Sequence, residues 1–600
     1  MPTTVLPGTT RGGLPLRVDR VAWAAVDDRG LVARAQAERG TPWPQPLASQ
    51  YARFRRDGDR VEYEDRVFGR EDRLTRAVVT ALVTDEQAWL DEVADGVTLL
   101  CEQSSWCWPA HDDAARALGA VVPVVTEPVL DLGAGEVAAR LAWIDHALGD
   151  RLDVRVPGVR RRLRHEVRAR VLDPFVARDD WGWLAPPLSN WTAWIHANVL
   201  TAALALLDGS ERDAVVARAA DGLAAYLESL PADGAIDEGY SYWWQGACRA
   251  LEALDLLEHA TGIDAAALPV VRATVGYPHA MHLGGRWYLA VGDGTATPPT
   301  DLPWHVLHAW ALRTGSTAAA EHAAAEHVRA DLPVRGGIGR TLHALAYDAW
   351  PAQTPSAPLP ARTWFPSTQV ALLRQTAGST RGLAVALKGG HNAESHNHND
   401  LGSVVVAVDG VPVVVDPGRP TYTAQTFGPD RYALWTMQSS WHSVPEVRGT
   451  PQRDGAQHRA TDAHVSADGT RARLDLTAAY PTEELSRWTR TVTLDRVASA
   501  VRVEDDWDVT PGGSGTVVHW VLAGEVDASE PGRVVVHPLD GARRTRLTWD
   551  PAGVTSSLTV RTLDDPMLSD VWGDHLTRLE LRVDDAAGNG SLTVTVEADR

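Results

Sequence analysis

Apolar residues recur at helical spacing through the first half of the chain and at strand spacing through the second. In "EVAARLAWIDHALGD", Val137, Leu141, Ile144 and Leu148 fall on one helical stripe, as do Val215, Ala219, Leu223 and Leu227 in "ERDAVVARAADGLAAYLESL". "AAAEHAAAEHVRADL" is built of strong helix formers. From about residue 70 to 345 the pattern predicts Ala/Leu-rich helices joined by short Gly/Pro turns, a bundle or toroid with no strict repeat. The five prolines of "PAQTPSAPLPARTWFP" (351–366) cannot continue a helix and predict an extended linker. After it the period changes to two. "SVVVAVDGVPVVVDPG" is two Val-rich runs around Asp409-Gly410, a hairpin signal. "SSLTVRTL", "TRLELRVDD" and "GSLTVTVEA" alternate as half-buried antiparallel strands do.

Helices first and strands afterwards predict an α+β multidomain chain. Residues 1–355 read as a mostly helical domain with an N-terminal extension over about 1–70, and residues 356–600 as antiparallel β-structure. The 600 residues and 44% apolar content suit a protein with sizeable cores. No apolar run is long enough to span a membrane. The start, "MPTTVLPGTTRGGLPLRVDR", lacks a basic segment followed by an apolar block, and only Cys101, Cys107 and Cys248 are present. Together these predict a cytoplasmic chain without a disulfide framework.

The net charge of −21 repels polyanions, so neither nucleic acid nor anionic membrane is expected as a partner. Oligomeric state, a homodimer included, stays open. The aromatic residues are skewed, with 24 Trp against 11 Tyr and 5 Phe. Indole faces stack on sugar rings, which brings in carbohydrate as a substrate class, although helix packing uses Trp as well.

The densest chemistry lies in "ESHNHNDLGS", where His396 and His398 are two residues apart, a spacing that on a strand directs both to one face. Asp416 closes an apolar strand in "VPVVVDPG", and His442 lies in "QSSWHSVPEV". His398, Asp416 and His442 make an N, O, N donor set suited to zinc. The bland roles are structural histidines and a carboxylate capping the Pro417-Gly418 turn. In the helical half, "CEQSSWCWPAH", "PPLSNWTAWIHANVL" and "PADGAIDEGYSYWWQGA" offer His111, Asn190, Trp191, His196, Glu238, Tyr240, Tyr242 and Trp243. Each alone reads as interhelical packing; together they read as the wall of a sugar cleft.

With "SHNHNDLGSVVVAVDGVPVVVDPG", "RPTYTAQTFGPDRYALWTMQSSWHSVP" and "GTPQRDGAQ" following "EQSSWCWPAH", "LSNWTAW" and "PADGAIDEGYSYWW" in order, the chain resembles the heparinase II/III-like polysaccharide lyases over roughly residues 50–460. The resemblance implies an (α/α) toroid followed by a β-sandwich, with a cleft between them, and β-elimination next to a uronic acid. It implies Asn190 as the carboxylate neutraliser, Tyr242 as acid (and as base too in syn elimination), and His396 as base or neutraliser. His196, Trp191, Glu238, Tyr240, Trp243, Arg419 and Arg431 would contact substrate. His398, Asp416 and His442 match positions that hold a structural zinc, and no organic cofactor is implied. Many relatives carry two asparagines where this chain has Ser189-Asn190, so Asn190 and His196 both stand for neutralisation; Tyr240 and Tyr242 both stand for the tyrosine.

The expected substrate is a uronate-containing oligosaccharide: the expected cytoplasmic location favours short, imported fragments over an intact polymer, and the acidic charge does not suit a heavily sulfated chain. Lys388, Arg419 and Arg431 flank the motifs as candidate carboxylate partners. Three other readings are carried. A uronate C5 epimerase begins with the same proton abstraction. A glycoside hydrolase needs a carboxylate pair across the cleft, for which Asp293 is the distant candidate. The third is a non-catalytic carbohydrate-binding protein.

Overall fold

The computed structural model describes residues 10–599. The first nine residues of the N-terminal extension, and with them part of the missing-leader reading, lie outside it. Helical structure begins earlier than the periodicity suggested, with helices Leu31–Glu38 and Val61–Thr84. Consecutive helices fold back on one another: Val61–Thr84 on Gln87–Glu102, and Trp304–Thr314 on Thr317–His327. Asn190–Leu206 runs through the middle, packed against Leu132–Arg155, Gly209–Ser229 and Ala247–Thr261. This placement explains why its sequence, "NWTAWIHANVLTAALAL", is apolar on every face. Among the described residues, no helix is long and apolar enough to cross a membrane. The three cysteines are free and buried.

The last helix of the first half, Ile338–Ala346, gives way through Pro-rich chain to the strand Arg362–Phe365. From there two large antiparallel sheets form, one of nine strands and one of eight, with a two-stranded pair, His391–Asn392 and Gly455–Arg459, beside them. The predicted hairpin is present as Val404–Val408 and Val411–Val414, and Asp409 and Gly410 both have positive φ, as its two-residue turn requires.

The middle strands of the nine-stranded sheet, Val370–Arg374, Leu383–Lys388, Val404–Val408, Val411–Val414 and Val517–Leu522, are buried on both faces. Val404, Val406 and Val408 join the core between the sheets, with Trp488, Val503 and Val594 of the eight-stranded sheet. The alternate residues Val405 and Ala407, with Ala384, Ala386 and Val411, belong instead to the core of the helical half, with Met281 and Leu283. This explains the unbroken Val run: a strand covered on both sides has no polar face to alternate with. Arg374, almost fully buried on the Val370–Arg374 strand, crosses the same seam and donates to the carbonyls of His282 (2.8 Å) and Leu283 (2.9 Å).

Candidate active site

The site forms where a helical-half loop meets the turn carrying the two histidines. The loop follows the short hairpin His282–Gly284/Trp287–Tyr288 and presents Asp293. His396 and His398 lie in an irregular turn rather than on a strand, so period-two spacing does not aim them. They converge because one carboxylate holds both. Asp293 Oδ2 accepts from His396 Nδ1 (2.8 Å) and Tyr422 Oη (2.9 Å), and its Oδ1 accepts from His398 Nε2 (3.0 Å) and Arg431 Nη2 (2.8 Å). Burial opposes ionisation of Asp293, but the hydrogen bonds from both histidines and the Arg431 guanidinium outweigh it. They hold the carboxyl well below the usual range.

The turn is strained. His396 has φ +56°, a left-handed conformation unfavourable to a side-chain-bearing residue. Its carbonyl accepts from the Asp293 backbone N–H (3.1 Å), and Gly292 passes so close that a Cβ there would sit 2.7 Å from that carbonyl oxygen.

A carboxylate can only accept, so His396 carries its proton on Nδ1 and leaves an Nε2 lone pair. That Nε2 lies 3.5 Å from Glu238, which is itself held by Asn190 Nδ2 (3.0 Å) at the start of the central helix. Burial, reinforced by neighbouring Asp237, pushes Glu238 up to about 8. The His396 ring stacks on Tyr242 (centroids 4.1 Å apart, 21° between planes), and both are half-buried. The Tyr242 hydroxyl hydrogen-bonds that of Tyr422, over whose ring Arg419 lies at 3.8 Å. Burial raises Tyr242 above the ordinary tyrosine value despite Arg419, so its resting form is the protonated phenol.

Asn190, Glu238, Tyr242, His396, Arg419 and Arg431 are thus gathered as the sequence suggested, but Arg431 is committed to Asp293 and to the carbonyls of Asn397 and Thr426. Trp191 lies nearby in a row with His111 (4.3 Å), whose ring is fixed by Asp131 (2.8 Å). Three other residues sit in the helical core instead. His196 bonds the Thr192 carbonyl (2.6 Å) and meets Phe175 and Trp183 edge-on; burial lowers it to about 4. Tyr240 stacks on Tyr288 (4.0 Å), which leaves Tyr242 as the tyrosine beside His396. Trp243 is fully buried and donates to the Thr274 carbonyl. Lys388 is buried between Asp400 (2.9 Å) and Glu394 (3.1 Å), where it braces the histidine turn and cannot meet a ligand. Tyr422 was missed, although it lies in the quoted "RPTYTAQ"; nothing local marks that its hydroxyl crosses to Tyr242.

His398, Asp416 and His442 are buried, with one donor atom of each within 4.8 Å of the other two. His398 gives its Nε2 proton to Asp293, and its Nδ1 lone pair is buried without a partner. His442 donates from Nε2 to the Thr436 carbonyl (2.9 Å), which turns its Nδ1 lone pair towards Asp416 Oδ2 at 3.1 Å. Two lone pairs facing each other need a cation or a proton between them, so the donor set fits a metal ion. Asp416 also caps its turn, Oδ1 accepting from Gly418 N–H (3.0 Å).

Residues 357–586 match the family model described as heparinase II/III-like, C-terminal. The β-sandwich is thus similar to the heparinase II/III-like C-terminal domain. Solved structures share the fold beyond that domain. A heparinase III structure is 10% identical, with 99% of this chain and 88% of that chain covered and a TM-score of 0.65. Heparan sulfate lyase HepC from Pedobacter heparinus is 13% identical, with 98% and 84% covered and a TM-score of 0.58. The Streptomyces coelicolor A3 chondroitin AC lyase, in complex with chondroitin sulphate, is 14% identical, with 98% and 80% covered and a TM-score of 0.55. The likeness therefore runs through the helical toroid as well as the heparinase II/III-like sandwich. No curated protein matches the sequence.

Proposed function

We propose that this protein is a polysaccharide lyase that cleaves a uronate-containing oligosaccharide by β-elimination. The observation that carries the proposal is the stacked Tyr242–His396 pair, with Asp293 setting the histidine tautomer. The C5 proton next to a uronate carboxylate is weakly acidic, because the charge left behind must spread onto a group that is already negative. Asn190 Nδ2 and the Glu238 carboxyl form the patch that receives the carboxylate. With its value near 8, Glu238 is mostly protonated at neutral pH and donates rather than repels. His396 Nε2 takes the C5 proton. The C4–O bond breaks as the C4=C5 double bond forms, and the Tyr242 hydroxyl gives its proton to the departing oxygen. The Tyr422 hydroxyl stands behind that of Tyr242 and is itself anchored on Asp293 Oδ2. Since base and acid are stacked neighbours, they serve one face of the sugar, which favours syn elimination.

The same one-sided arrangement disfavours epimerisation, which must return a proton from the opposite face. Hydrolysis is disfavoured because Asp293, held by four donors, is no free acid or base. The fold shared with heparin-type and chondroitin lyases agrees with the lyase reading. We further infer that His398, Asp416 and His442 hold zinc, which when bound would cross-link the turn and take no part in bond breaking. The test is a panel of uronate oligosaccharides (alginate, hyaluronan, chondroitin, heparosan, glucuronan) followed by ultraviolet absorbance of the unsaturated product. Cleavage without such absorbance would indicate a hydrolase, and absence of cleavage across the panel would remove the proposal.

A further inference from the structure

A second group of buried ligand-type side chains lies in the helical half. His282 comes from the short hairpin, while His322 and Glu326 stand one turn apart on the Thr317–His327 helix. One donor atom from each lies within 4.8 Å of the other two. His282 Nε2 faces the Gly285 carbonyl at 3.0 Å, so that nitrogen carries the proton and Nδ1 carries the lone pair. His322 Nε2 is engaged with the Tyr288 hydroxyl at 3.1 Å. The Nδ1 atoms of both rings are buried and have no hydrogen-bond partner. Buried polar atoms are almost always partnered, so two orphans in one cluster require a reason.

The surroundings are organised as a ligand shell. Arg329 pairs with Glu326 Oε1 and donates to the Gly285 carbonyl (3.2 Å), the same oxygen that orients His282. Arg374, from the β-sandwich, holds the His282 carbonyl. His279, with its own Nδ1 unpartnered and its ring 6.4 Å from His322, lies at the rim.

We propose that His282, His322 and Glu326 form a second metal site, for a zinc-type divalent cation. Two imidazoles and one carboxylate are a borderline-soft donor set that suits zinc and does not suit calcium or magnesium. The site would pin the Thr317–His327 helix to the hairpin. Tyr288 of that hairpin stacks on Tyr240, two residues before Tyr242, so the ion would act as a positioning element for the reactive tyrosine.

The experiment is zinc and cobalt(II) titration of the metal-stripped full chain, with metal counted by plasma mass spectrometry. Wild type is expected to bind two zinc equivalents. His442→Ala, which disables the sandwich site, is expected to keep one, together with cobalt(II) visible absorption. Glu326→Gln and His322→Leu, checked for folding by circular dichroism, are each expected to lose one. His322→Leu replaces a buried orphan with an apolar group, so if the cluster is only packing it leaves metal content and chelator sensitivity unchanged. One wild-type equivalent that disappears in His442→Ala overturns the proposal, as does the absence of bound metal. One equivalent that survives in His442→Ala and is lost in Glu326→Gln supports this site and removes the sandwich zinc.

Discussion

His396 and Asp293 meet across the seam between the helical half and the β-sandwich, Nδ1 to Oδ2 at 2.8 Å. The contact is reciprocal, because the His396 carbonyl accepts the Asp293 backbone N–H. Asp293→Asn keeps the shape but offers an amide N–H where the ring needs an acceptor. The expected result is a fall of about 10²–10⁴-fold in kcat, the range of lost general-base catalysis. KM should change little. A variant with full turnover would show that the tautomer does not matter.

Tyr242→Phe removes the acid and leaves the stack. We expect a kcat loss of about 10²–10⁴-fold on a natural glycan. The loss should shrink on a substrate whose leaving group needs no proton. His396→Gln should be equally damaging on both substrates. Equal losses for the two variants on both substrates would argue against separate acid and base roles.

Glu238 sets a pH dependence of stability. Its folded value near 8 lies above the unfolded one, so the folded state binds the extra proton. The stabilisation is therefore complete below about pH 4 and is lost as pH rises towards 8. Wild type should lose stability relative to Glu238→Gln over this window in denaturant titrations. A flat difference would place the ionisation elsewhere.

Removal of the proposed zinc should lower the melting temperature. At a free ion concentration about 100 times Kd, binding stabilises by about 2.7 kcal/mol. Chelation should remove about that much for each occupied site in calorimetry. His442→Ala should abolish the part of the response that belongs to the sandwich.

Gly292→Ala places a Cβ 2.7 Å from the His396 carbonyl at φ +54°. We expect a loss of about 1–3 kcal/mol together with reduced kcat, since the same backbone aims the histidine. A variant with wild-type stability and rate would mean that the loop can move aside freely.

Much of this was readable in advance because it is local. The Asp409-Gly410 turn follows from two positive φ values, and the Val runs follow from strand chemistry. His398, Asp416 and His442 were visible as donor types. The errors came where burial depends on distant chain. "WTAWIHANVL" has no polar face, so nothing in it says that His196 points into the core. Lys388 read as a candidate partner for a substrate carboxylate because its real partners, Glu394 and Asp400, lie beyond a turn. The abundance of Trp suggested sugar stacking, yet Trp89, Trp243, Trp244, Trp287, Trp310, Trp488 and Trp520 are fully buried and fill cores. Asp293 entered only as a hydrolase candidate, since "VGDGTA" carries no mark that two histidines and an arginine reach it from the other domain.

The two-sided burial of the middle strands of the nine-stranded sheet bears on where this protein can be cut. The Pro-rich stretch before Arg362 looks like a natural place to divide the gene. A fragment starting there would expose Ala384, Ala386, Val405, Ala407 and Val411 to water as one apolar patch, and such surfaces drive aggregation. It would also leave His396 and His398 without Asp293. What is a separate unit in the alphabet of the sequence is, in the folded state, half of an inseparable solid. Expression of the whole chain is the only form in which either half has its proper surface.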